Sequence, residues 1–226
     1  EKERYLFYRG AANLEAPLRV VREDKDLVIQ TNEPPSPKTP QKAWLADLKP
    51  NGIAAFREVT LNPSETNVLA RTSGIFEESE YTIENEKALR SRLYEALVAD
   101  GLFPKEATAM LKTWELSYFQ SPGVRLFYLV PREWTEKHLP MYVSVDAEIT
   151  RVMIGRIEIV TPYQKNLLSI LANYPTPFDP RKPPAEYYRL GRFANALILD
   201  QMQNQSPGKL AEFAKVFPFV KMGRNQ

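Results

Sequence analysis

The chain has no cysteine and a single histidine, His138, among its 226 residues. Without cysteine there are no disulfides, no thiolate metal sites and no cysteine nucleophile. One imidazole and no thiolate also argue against zinc, whose sites draw on nitrogen and sulfur ligands, and no metal site is expected. No run approaches the roughly 18 apolar residues that cross a bilayer as a helix; the longest, such as Leu126–Pro131, are strand-sized. An excess of one charge is missing too: 30 basic residues face 28 acidic ones, a net charge of +2, well mixed along the chain. Nucleic-acid surfaces concentrate Lys and Arg on one face, so a nucleic-acid partner is not expected. No Gly-x-Ser-x-Gly elbow, nucleotide loop or calcium-loop pattern occurs, and no cofactor is expected.

What is present is ordinary globular material, 43% hydrophobic and 26% charged, in a chain long enough for one large domain or two small ones. The expected class is α+β, with an antiparallel β-rich region at 1–75 followed by a mixed α/β region at 76–226 that holds about four to five helices and packs against it. Arg4–Arg9 already reads as strand, and the chain opens at Glu1 with neither an initiator Met nor an apolar signal segment. We therefore expect further sequence upstream.

Leu18–Val21 and Leu27–Gln30 are β-favouring runs either side of the charged turn Glu23–Asp26. Ala43–Leu48 and Ile53–Leu61 flank Lys49-Pro50-Asn51-Gly52, whose Pro and Gly suit a hairpin turn. Pro34, Pro35, Pro37 and Pro40 make Glu33–Gln41 an extended loop. Asn62–Gly74 is polar and reads as the internal boundary. Beyond it, Leu89, Leu93, Ala96 and Leu97 share one face of a helix over Thr82–Asp100, closed by Gly101. Pro104 starts a second helix that buries Ala107, Met110, Leu111, Trp114 and Tyr118. Ser121-Pro122-Gly123 turns into a strand at Val124–Val130.

Arg132–Leu139 reads as a short helical turn ended by Pro140, and Met141–Val145 and Thr150–Val160 as strands, the latter with a bulge at Gly155 because Val152, Ile154, Ile157 and Ile159 do not alternate strictly. Thr161-Pro162-Tyr163-Gln164 is a capped helix start with Leu167, Leu168 and Leu171 buried. After a second proline-rich loop at Pro175–Pro184, a long helix carries Tyr187, Leu190, Ala194, Leu197, Ile198 and Gln201 to about Gln203. A last one begins at Ser206-Pro207.

Candidate chemistry is sparse. His138 is the only imidazole base, and weak catalytic candidates beside it are Glu115 and Glu158. Glu115 follows Trp114 on a helix that otherwise buries its face. Glu158 lies on a strand where Arg151 or Arg156 can meet it; an ion pair is the ordinary use of such a carboxylate. Glu77, Glu78 and Glu80 read as a solvated run. Tyr5, Phe7, Tyr8 and Trp44 read as sheet packing before a stacking platform. Trp134, next to Arg132 and His138, is the expected exposed aromatic, and these three residues form the expected binding surface. Lys209, Lys215, Lys221 and Arg224 make a basic C-terminus that would allow peripheral contact with an anionic membrane.

YLFYRG around Tyr8-Arg9-Gly10, TWELSYFQSPGVRLFYLVPREWTEKHLP at 113–140 and RVMIGRIEIVTP at 151–162 resemble a family of uncharacterised bacterial proteins, most of them predicted to be exported. The resemblance covers most of the chain. It implies a periplasmic or cell-envelope location and an upstream segment, and it supplies no activity, substrate or catalytic residue. The function expected from the sequence is therefore a non-catalytic cell-envelope protein that binds a protein partner or joins an assembly. The rival is a carboxylate-dependent hydrolase or carbohydrate-active enzyme using Glu115 or Glu158.

Overall fold

The fold is α+β and is seen in a computed structural model that describes residues 14–32, 40–62, 66–174, 184–190, 194–204 and 210–211. Two compact units divide at Ile159/Val160. In the first, β1 (Leu18–Glu23), β2 (Asp26–Thr31) and β5 (Val68–Ser73) form a three-stranded antiparallel sheet in the order β1-β2-β5. The strands β3 (Lys42–Leu48), β4 (Ala54–Thr60), β6 (Gly123–Leu129) and β7 (Ile154–Ile159) form a four-stranded antiparallel sheet in the order β4-β3-β6-β7. Strands from both sides of residue 75 thus share one sheet, and the boundary expected there falls inside this unit. The polar stretch at 62–74 contains a strand, β5, whose Val68, Leu69 and Ala70 are enough apolar surface to pair with β2.

Both expected hairpins form. Asp24 supplies the left-handed residue of the first turn at φ 53°, and Asn51 and Gly52 do so in the second at φ 81° and 74°. Such conformations are least costly for Gly, Asn and Asp.

The four-stranded sheet is covered on both faces. Ala43, Leu45, Val124, Leu126, Tyr128 and Ile159 meet Leu18, Leu27, Ile29 and Leu69 of the smaller sheet. On the other face Trp44, Ala46, Leu48, Phe127 and Ile154 pack against α1 (Glu84–Ala99) and α2 (Pro104–Thr113). Leu89, Leu93 and Leu97 of α1 are wholly buried, each stabilising by roughly 1.5–3 kcal/mol relative to exposure. The Thr82 hydroxyl accepts from Asn85 N at 3.2 Å to open α1. Gly101 at φ 112° closes it, with Leu102 N donating to Leu97 O, the bond of a Schellman ending. Glu106 accepts from Phe103 N at 2.8 Å at the head of α2. That helix does not run on to Tyr118. It stops at Thr113 and re-forms as a wider, π-helical turn over Leu116–Gln120.

Burial on both faces also explains the pattern around Gly155. The β6–β7 pairing is continuous from Val124↔Ile159 to Leu129↔Ile154, so the expected bulge is absent. Apolar residues appear on both sides because both sides are covered. Gly155 sits opposite Tyr128, whose ring occupies the space a Cβ would need, with ring atoms in direct contact. Among the neighbouring segments, the expected helical turn forms as α3 (Arg132–His138), whereas Met141–Val145 has no regular structure and bends at Ser144 and Val145.

The second unit starts with α4 (Pro162–Ala172), whose capping box forms as expected: Thr161 Oγ1 accepts from Gln164 N at 3.1 Å and Gln164 Oε1 from Thr161 N at 2.9 Å. Leu167, Leu168 and Leu171 pack with Leu190, Ala194, Ile198 and Leu210 from α5 (Ala185–Arg189), α6 (Ala194–Asn204) and beyond. The strand expected at Arg4–Arg9 with its aromatics, most of the two expected proline-rich loops, residues 191–193 and nearly all of the basic C-terminus lie outside the described residues.

Gly155→Ala is expected to cost about 1–3 kcal/mol by overpacking. In the Tyr128→Leu background that penalty should shrink, giving non-additive urea midpoints in a double-mutant cycle.

Candidate functional site

Arg125 stands in the middle of β6, in the run VRLFYLV, and its side chain has no exposed surface. The reason lies in the π-helical turn beside it. A turn that wide leaves its carbonyls without ordinary helical donors, and the planar guanidinium supplies them. Arg125 Nη1 donates to Ser117 O at 2.8 Å and Tyr118 O at 3.3 Å, and Nη2 to Ser121 O at 2.7 Å and Pro122 O at 3.2 Å. Its charge is met by Glu158, directly opposite across the β6–β7 ladder, with Nε 3.6 Å from Oε2: an ion pair too long for a hydrogen bond. Arg156 joins from β7, 3.1 Å from Glu158 and donating to the same Ser117 carbonyl at 2.8 Å. Gly123 at φ 135° leads into β6, and a Cβ there would press on Arg125 Nη2 at 3.3 Å.

Glu158 is thereby committed to two arginines. Glu115 is held by Arg90 at 2.9 Å, and Arg90 also takes Glu86 at 2.9 Å while its guanidinium lies over the Phe119 ring at 4.4 Å. The two candidate carboxylates serve different arginines: Glu115 ties the head of the π turn to Arg90 of α1, and Glu158 pairs Arg125 of β6 and Arg156 of β7, which themselves donate to the turn's Ser117 carbonyl. The turn's Tyr118 is buried between Trp114 and Phe127. Burial pushes its hydroxyl pKa up to about 12, against an opposing pull from Arg156.

The expected binding trio is only partly exposed. Trp134 is 8% exposed, within the core between the sheets. This corrects its reading as a surface aromatic: α3 is a real helix, and position 134 is on its inner side. His138, one turn on, is half-buried with its ring 4.6 Å from that of Trp134. Arg132 is at the surface, hydrogen-bonded to Glu136 at 2.8 Å and to Ile149 O at 3.1 Å.

That last bond leads to what the sequence did not disclose. Residues 140–150 form a loop whose neck is pinned twice, by Arg132 on Ile149 O and by Arg151 on Leu139 O at 2.6 Å. Its two arms and α3 enclose an open hollow of about 360 Å³, lined by Arg132, Glu136, Met141, Tyr142, Ile149 and Arg151 among others. Its far end exposes apolar side chains: Tyr142 is 92% exposed, Val145 68% and Val143 44%. Among the described residues no strand pairs with Met141–Val145, the segment expected as a strand. Neither Glu115, Glu158 nor His138 lines the hollow.

No protein-family model, curated protein or solved structure matches this chain. No helix among the described residues is long and apolar enough to cross a membrane.

Arg125→Met is expected to cost on the order of 3–5 kcal/mol, since it removes the donor of four turn carbonyls and one of the two arginines of Glu158. Arg125→Lys should not restore it, lacking the planar fork, and Glu115→Gln should cost less than about 1 kcal/mol; urea unfolding at neutral pH ranks the three. A second expectation concerns alkali. Tyr118 has a raised folded-state pKa, so its neutral form stabilises the fold fully below the unfolded value of about 10, and that contribution is lost as pH rises toward about 12. Tyr118→Phe should flatten the fall in stability over that window, followed by thermal melts from pH 9 to 12.

Proposed function

We propose that this is a non-catalytic protein of the cell envelope that binds a protein partner through the loop at 140–150. The observation that carries the binding surface is that loop's construction. A segment with exposed Tyr142, Val143 and Val145 has its two ends drawn together by arginine-to-carbonyl bonds. Closing the loop's neck in advance lowers part of the entropy lost when the loop is covered. Contiguous exposed apolar side chains are what partner surfaces provide, and an exposed tyrosine with neighbouring aliphatics is a good anchor. The cell-envelope placement rests on the resemblance of the segments around Tyr8, 113–140 and 151–162 to exported bacterial proteins.

The candidate carboxylates support this reading over hydrolysis. A carboxylate pair for glycoside or related hydrolysis converges on one cleft, whereas Glu115 and Glu158 answer to different arginines and frame no cleft together.

Replacing Tyr142, Val143 and Val145 together with Ser should leave the thermal midpoint within about 2 °C, because the three side chains are largely solvated. The same change should abolish co-purification of the native partner from envelope extracts. Undiminished co-purification would refute the loop as the contact surface, and recovery of the full chain only from the cytosolic fraction of its host would refute the compartment.

A further inference from the structure

The loop at 140–150 also carries information about what covers it. Between Pro140 and Thr150 the only charged residues are Asp146 and Glu148, both exposed, and no described residue makes an ion pair or hydrogen bond with either side chain. The two arginines at the loop's neck are already engaged. Arg132 is paired with Glu136 and sits in the field of Asp100, and Arg151 reaches the Leu139 carbonyl at the neck. The loop therefore presents an apolar patch of Tyr142, Val143 and Val145 beside two uncompensated carboxylates.

Three occupants can be weighed on this charge pattern. A second copy meeting loop against loop would set Asp146 and Glu148 near their own equivalents, a like-charge contact that an isologous interface repeats twice. An anionic membrane surface repels the same two groups. A protein surface with an apolar depression rimmed by Lys and Arg matches both features at once. Resting on the reading of this loop as a protein-binding surface, we infer that the loop docks on a basic-rimmed apolar site of a different protein, with Tyr142 and Val145 as the apolar anchors and Asp146 and Glu148 as the steering and register-setting charges. Complementary charge of this kind acts on association rate and partner choice, and is weakened by salt.

The test places a photo-crosslinking phenylalanine derivative at residue 142 of the full chain in its host cell and identifies the crosslinked peptide by mass spectrometry. The crosslinked protein is then purified and its affinity for the full chain measured across a salt series. A partner whose crosslinked region is apolar and rich in Lys and Arg, an affinity that falls several-fold as salt is raised, and a loss of about tenfold or more in Asp146→Lys/Glu148→Lys with unchanged melting temperature are expected. Asp146→Asn/Glu148→Gln should fall between wild type and the charge reversal. A partner bound equally well by the charge-reversed chain would overturn the inference while leaving the loop as the contact surface. Crosslinks to a second copy of this chain or to phospholipid would overturn it as well. The absence of any crosslink from residue 142, with control positions on α1 equally silent, would overturn the underlying binding surface itself.

Discussion

A buried guanidinium in a central strand is the constraint on which the first unit depends. Arg125 has water on no side, so its hydrogen bonds must be made within the protein, and both terminal nitrogens make them. The acceptors are the carbonyls of the π turn and of the Ser121–Pro122 turn that follows it. The charge then requires Glu158 at the one position on β7 that stands opposite, and Glu158 in turn engages Arg156, which returns to Ser117. The route of the chain from α2 into β6, the β6–β7 register and the glycine at 123 are satisfied together or not at all. Removing Arg125 leaves the carbonyls of both turns without the donor that serves them, and removing Glu158 leaves a wholly buried guanidinium without its counter-charge, the costly situation for internal charge.

Much of this framework is legible in the sequence where short-range rules decide. The helix over Glu84–Ala99, its Gly101 ending, the Pro104 start, the Thr161 capping box and the two hairpins follow from residues close together in the chain. The errors share one origin, which is long-range burial. Gly155 suggests a bulge only if β7 has one wet face; with both faces covered, it is the space beneath Tyr128. Trp134 reads as exposed in a loop, yet a helix there turns it into the core between the sheets. The second helix runs through Trp114 on periodicity alone, while the carbonyl demands of Arg125 favour a wider turn. A lone arginine inside VRLFYLV was the available signal, since a charge in an otherwise apolar central strand requires buried partners.

The loop at 140–150 illustrates the converse. Its alternation is that of a strand, but strand formation needs a partner edge, and both ends of the segment are drawn together by Arg132 and Arg151 instead. The apolar residues of the segment expected as a strand at Met141–Val145 are thus left at the surface: Tyr142, Val143 and Val145. The candidate carboxylates move the other way, from chemistry to structure, because each sits within reach of arginines that brace the π turn. The scaffold is accordingly rigid next to the arginine cluster and unbraced between the two ends of the loop.

Native-state hydrogen exchange on the full chain, resolved by peptide, tests this contrast most directly. Amides of Leu116–Gln120 and Gly123–Leu129 are expected to exchange only through global unfolding, whereas those of 142–148 exchange close to the rate of an unstructured chain until a partner covers them. Early exchange at Leu116–Gln120, or strong protection of 142–148 in the isolated protein, would contradict this contrast.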